Sequence, residues 1–116
     1  MDTKVEARLT IKDRAYANAI ARGLAERGRT VKKVYVHAKD YESVVLDVDG
    51  HLKAFVFNDT YTGSDTGNNG NPILDFMDTL ASHGLQPKKL DSVYVVSDNF
   101  RIPADQMIKS IDGSIK

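Results

Sequence analysis

The sequence contains no cysteine, which excludes a disulfide framework, a thiolate nucleophile and a zinc ribbon. It also lacks any apolar run approaching the roughly 20 residues of a membrane span. The opening Met1-Asp2-Thr3-Lys4-Val5-Glu6 carries charges where a signal peptide needs an apolar stretch. The expectation is a soluble protein of the cytoplasm. An excess of charge of one sign is missing as well, since 16 basic and 16 acidic residues leave a formal net charge of zero. A general nucleic-acid binder is expected to be basic overall, and a DNA mimic strongly acidic. The signs are nonetheless unevenly placed. Residues 1–40 hold ten Lys/Arg against five Asp/Glu, an excess that the rest of the chain cancels. That polarity suits a protein partner with charged patches, or self-association.

Motifs of catalysis are scarce. No serine sits in a Gly-x-Ser-x-Gly elbow, and Gly63, Gly67 and Gly70 lack the Gly-Lys-Ser/Thr of a phosphate loop. His37, His51 and His83 form neither His-x-x-x-His nor Glu-x-x-His, so structural or surface roles are expected for all three and no metal site. Val44-Val45-Leu46-Asp47-Val48-Asp49-Gly50 looks like the nucleophile motif of haloacid-dehalogenase-type phosphatases. Against that reading, the chain returns at once into another apolar strand, no matching lysine or paired-acid motif follows, and that fold needs a much longer chain. Lys53-Ala54-Phe55-Val56-Phe57 echoes the aromatic strand of an RNA-recognition motif, but it lacks the basic-Gly-aromatic start and has Asn58 where an aromatic belongs. The expectation is a protein that binds rather than catalyses, without cofactor and without direct contact to nucleic acid.

What is present describes one domain. A chain of 116 residues can bury about two thirds of the surface its unfolded form exposes, enough for one core. Val5, Ala7, Leu9 and Ile11 alternate with polar residues, predicting a half-buried first strand over 4–11. Asp13 is the expected N-cap of a helix whose apolar stripe is Tyr16, Ala19, Ile20, Gly23 and Leu24, ended by Gly28. Residues 31–37 read as a strand. Asp49-Gly50, between two β-rich runs, predicts a two-residue hairpin turn with positive φ at both positions. It sets Val48 opposite His51, Leu46 opposite Lys53 and Val44 opposite Phe55. Both faces of this hairpin are largely apolar, so it belongs in the middle of a sheet covered on both sides. A glycine-rich loop, 59–71, precedes a helix starting at Asn71-Pro72 with Ile73, Phe76, Met77 and Leu80 buried and Gly84 at its end. A strand over 90–96 and a short helix bearing Met107, Ile108 and Ile111 complete the chain. The predicted fold is α+β in the order β-α-β-β-β-α-β-α, a single domain over 1–116. Its sheet is mainly antiparallel with about five strands, and carries two to three helices.

The string from Asp49 to Asp59 resembles a segment of the type II-C anti-CRISPR family that captures the HNH nuclease domain of the RNA-guided type II CRISPR effector. The shared features are Asp49-Gly50 followed by Ala54-Phe55-x-Phe57-Asn58-Asp59. Ala38-Lys39-Asp40 upstream and Arg101-Ile102-Pro103 downstream are similar to that family too, as are a helix with Phe76 and Leu80 and a strand over 91–96. The resemblance implies a protein of phage or mobile-element origin, at work in the cytoplasm of the bacterial host and needing no cofactor. It implies a steric mechanism: the inhibitor docks on the HNH domain, touches the recognition lobe of a second effector, and blocks the movement that licenses cleavage. The alternative is a small adaptor or immunity-type protein with another protein target.

Contacts are expected from the 59–71 loop and the neighbouring 98–101 turn, through Asp59, Tyr61, Asp65, Asn68, Asn69, Asp98, Asn99, Phe100 and Arg101. These residues are polar or aromatic and lie outside the periodic core pattern. Tyr61 and Phe100 are the expected anchors, because aromatics dominate interface energetics. A contact elsewhere would fall on the basic first helix, around Arg14, Arg22 and Arg29.

Overall fold

The first helix begins earlier than its sequence suggests, and the reason is local. In the computed structural model, which describes residues 9–37, 42–57, 78–97 and 101–115, helix α1 spans Ile11–Glu26. Thr10, not Asp13, is its N-cap: the Thr10 hydroxyl accepts the Asp13 backbone N–H at 3.0 Å. Asp13 stands in the first turn, where a carboxylate favours the positive end of the helix dipole. Ile11, expected to close a strand, is therefore helical and 77% exposed. Leu9 and Thr10 of that predicted strand are not strand either, and residues 4–8 lie outside the described residues. Tyr16, Ala17, Ile20 and Leu24 form the buried stripe, and Ala19 faces solvent. At the far end Gly28 adopts φ 91°. The N–H groups of Gly28 and Arg29 return to the carbonyls of Ala25 and Leu24, the paired bonds of a Schellman motif.

Four strands follow: β1 (Val31–His37), β2 (Glu42–Val48), β3 (His51–Phe57) and β4 (Leu90–Val96). They lie side by side in that order. The β1–β2 and β2–β3 pairs are antiparallel and β3–β4 is parallel. The sheet is thus mixed and mostly antiparallel, with four strands among the described residues rather than about five. The hairpin is as expected, with Val48 opposite His51, Leu46 opposite Lys53 and Val44 opposite Phe55. Asp49 (φ 52°) and Gly50 (φ 89°) make the turn, the double positive φ that Asp-Gly tolerates.

Helices flank both faces. Residues 78–82 are helical (α2), and α3 spans Ala104–Ser114 with Pro103 at its N-cap. On one face α1 and α3 cover Val44, Leu46, Val48, Phe55, Phe57 and Val96, with Met107 and Ile111 from α3. The two helices approach closely at Gly23, where an added Cβ would clash with the Ile108 side chain. On the other face Leu80 from α2 packs with Val36, Val45, Leu52 and Ala54. Asn71, Pro72, Ile73, Phe76 and Met77, expected in the same helix, lie outside the described residues. No helix among the described residues is long and apolar enough to cross a membrane.

Candidate functional site

The pairing pattern gives the sheet two unlike ends. At one end are the hairpin turn, the start of β1 and the start of β4. At the other, His37 pairs with Glu42, Glu42 with Phe57, and Phe57 with Val96, so the chain enters or leaves all four strands along one edge.

Side chains at the turn end are committed to each other. The Asp49 carboxylate accepts the Thr30 backbone N–H at 2.9 Å and the Arg29 guanidinium at 3.1 Å. Both bonds favour its ionised form and hold its pKa below the ordinary carboxylate value, the backbone donor contributing most. Arg29 reaches on to α3, with Nε 2.8 Å from Asp112 Oδ1 and Nη2 donating to the backbone carbonyls of Asp112 and Ile115. Arg27 donates to the second Asp112 oxygen at 3.1 Å. Asp112 is accordingly held below its usual pKa, first by Arg29 and then by Arg27. These two cations sit at the carboxyl end of α3, where the helix dipole favours positive charge.

A third cation reaches the same helix end from inside the sheet. Lys53 alternates with Phe55 and Phe57 on the α1–α3 face of β3, and its side chain is only 2% exposed. A buried ammonium is costly unless paired, and here a sheet irregularity supplies the partner. Leu52 pairs with Leu90 while Lys53 pairs with Ser92, so Asp91 is the extra residue of a β-bulge. Asp91 Oδ1 lies 2.7 Å from Lys53 Nζ, and its Oδ2 lies 2.9 Å from His51 Nδ1. Burial pushes the Asp91 pKa up, but the hydrogen bonds and charges of Lys53 and His51 outweigh it and leave the carboxyl below its usual value. Lys53 Nζ also meets Ser114 Oγ, in the last turn of α3, at 3.1 Å.

The chemistry of this cluster follows from its bonds. Lys53 Nζ is paired with Asp91 Oδ1 at 2.7 Å, and Ser114 Oγ donates to the Ile111 carbonyl at 2.7 Å. The cluster is a clamp that docks α3 on the sheet. The Asp47–Asp49 pair is equally occupied, because Asp47 Oδ1 accepts the Gly50 backbone N–H at 2.9 Å. An open cleft of about 400 Å³ beside the turn is lined by Thr30, Lys32, Asp47, Asp49 and Gly50. No group of three or more His, Asp or Glu among the described residues is placed to hold a metal ion.

The loop end is where the predicted contacts fall. Asp59, Tyr61, Asp65, Asn68 and Asn69 follow β3, and Asp98, Asn99 and Phe100 follow β4; all eight lie outside the described residues. The described strand residues that precede them in sequence, Phe57 and Val96, are parallel partners. Arg101 is described. Its guanidinium lies 2.6 Å from Asp13 and 4.9 Å from the Tyr16 ring centroid, and Tyr16 donates its hydroxyl to the Ile102 carbonyl. Burial raises the Tyr16 pKa and the Arg101 charge partly offsets it. Arg101 thus ties the residues after β4 to the first turn of α1.

Sequence reasoning missed the turn-end clamp. Lys53 was legible, since it occupies an inward position between apolar neighbours. Asp91 was not, because the bulge arises only when β4 pairs with β3. The three histidines lie on separate elements as expected. His51 binds Asp91, and His83 Nδ1 lies 2.9 Å from the Thr79 carbonyl. The chain matches no family model, and no curated protein sequence or solved structure is significantly similar to it.

Proposed function

We propose that this chain is a protein-binding inhibitor of phage or mobile-element origin that blocks an RNA-guided CRISPR effector nuclease by docking on its HNH domain. The reading rests on the resemblance over residues 49–59. Its described part, Asp49 to Phe57, is the central hairpin, where Phe55 and Phe57 are core residues. Those positions support a shared scaffold, and partner contacts then belong elsewhere.

The observation that favours the loop end is the parallel pairing of Phe57 with Val96. Phe57 and Val96, which precede in sequence the segments that hold Tyr61 and Phe100, are neighbours in one sheet. A rigid base lowers the ordering cost of a loop-built interface. Inhibition requires no chemistry under this reading: occupancy of the HNH surface prevents the docking movement that precedes cleavage.

The test is direct. The chain is titrated into the isolated HNH domain and into whole type II-C effectors at moderate salt, with target-DNA cleavage followed in parallel. Binding and loss of cleavage are expected, both weakened by Tyr61→Ala and Phe100→Ala. Absence of binding to every type II effector tried removes the reading.

A further inference from the structure

Among the described residues the exposed large hydrophobics are Ile11, at 77%, and Ile102, at 38%. They belong to one corner of the molecule. Asp13, two residues after Ile11, holds Arg101 at 2.6 Å, and the Ile102 carbonyl accepts the Tyr16 hydroxyl. From this corner α1 runs toward the turn end with Ile11, Arg14, Asn18 and Arg22 at spacings of three, four and four, which places them on one face of the helix. Ile11, Asn18 and Arg22 are exposed and Arg14 is half-buried. Lys33, exposed on β1, donates to Asn18 Oδ1 and so brings its ammonium to the border of this face. Other arginines of the region are engaged internally: Arg27 and Arg29 bind Asp112, and Arg29 also binds Asp49. Arg14 and Arg22 make no ion pair with any described residue. The outer face of α1 is therefore an apolar anchor followed by cations, together spanning about 16 Å of helix.

Resting on the proposed function, we infer that this face of α1, from Ile11 to Arg22, is a second contact surface for the protein partner, and that it takes an acidic surface with an apolar socket for Ile11. The occupant follows from charge complementarity, because Arg14, Arg22 and Lys33 together present positive charge along a face that begins with one projecting apolar side chain. Continuity supports it too, since Ile11 and Ile102 lie at the sheet end from which the 58–77 and 98–100 segments depart. Glu26, near the end of α1, is the exposed acid on the helix, and it lies beyond Arg22.

The inference is tested with the full chain and the isolated HNH domain by calorimetric titration at two salt concentrations, comparing wild type with Ile11→Ala and with the Arg14→Glu/Arg22→Glu double variant. Ile11 and Arg22 are exposed and Arg14 is half-buried, and the changes suit a helix: alanine favours it and Glu at position 14 suits its first turns. Melting temperatures are expected to stay at the wild-type value. Ile11→Ala is expected to weaken binding about tenfold, as loss of an interface anchor does. The double reversal should weaken it at least as much and flatten the salt dependence. Binding by both variants within twofold of wild type overturns this inference and leaves the proposed function standing. No binding by the wild-type chain overturns both. Binding of the wild-type chain to RNA or duplex DNA at moderate salt, lost in the double reversal, would instead assign the face to a phosphate backbone and overturn the acidic-protein occupant.

Discussion

The two ends of the sheet use their charged side chains differently. At the turn end Asp49, Asp91 and Asp112 each meet a cation, and Arg27, Arg29 and Lys53 converge on the last turn of α3. At the loop end the described polar contacts are fewer, and they tie Arg101 to Asp13 and Ile102 to Tyr16. The first arrangement uses its charged groups to hold elements together. The second leaves Ile11 and Ile102 exposed. Polar residues are thus not interchangeable evidence of function, since Asp49, Asp91 and Asp112 are bonded within the fold.

The largest expected effect of breaking this division comes from Asp91. Asp91→Ala leaves Lys53 buried without its carboxylate, and unfolding should cost about 2 kcal/mol less in urea titration. That is below the usual range for a buried pair, because Asp91 is itself 39% exposed. Lys53→Met should be neutral or stabilising, since a well-packed apolar chain replaces a buried ion pair without the desolvation cost. Equal destabilisation by both variants would mean that the pair contributes net attraction rather than a satisfied penalty. Gly50→Val is expected to cost about 1 kcal/mol or more, because a β-branched residue resists the φ of 89° at the hairpin turn. A variant with unchanged stability would contradict the turn.

A smaller effect is expected from acid. Asp49, Asp91 and Asp112 all ionise below the usual carboxylate range in the folded protein. Groups with depressed folded pKa values contribute stability that is fully present above the unfolded value of about 4 and is lost as pH falls through the folded values. Urea midpoints followed by circular dichroism should therefore be insensitive to these groups between about pH 5 and 8 and should decline below. Asp112→Asn should reduce that decline. A midpoint that stays constant down to about pH 2 would show that the clamp contributes nothing to folding.

How much of this was legible depends on the range of the interactions. The hairpin register follows from Asp49-Gly50 and the alternation around it, both local, and the structure agrees residue by residue. The start of α1 differs from the sequence pattern because alternation through Ile11 competes with the Thr10 cap, and period-two patterning is blind to caps. Ala17 rather than Ala19 is buried because a stripe spaced three and four residues leaves the helix rotation open until α3 packs against Gly23. Asp91 became visible only through the β3–β4 pairing. Of the predicted contact residues Arg101 is described, and its bonds to Asp13 and Tyr16 depend on segments 88 residues apart in sequence.

The account is tested most directly by measuring melting temperature and affinity for the isolated HNH domain on the same variants from both ends. Tyr61→Ala and Phe100→Ala are predicted to weaken binding by more than about 1 kcal/mol with melting unchanged. Asp91→Ala and Gly50→Val are predicted to melt earlier yet bind as wild type at temperatures where they remain folded. Wild-type affinity in both loop-end variants, together with lost affinity in folded turn-end variants, would contradict the division of the two ends.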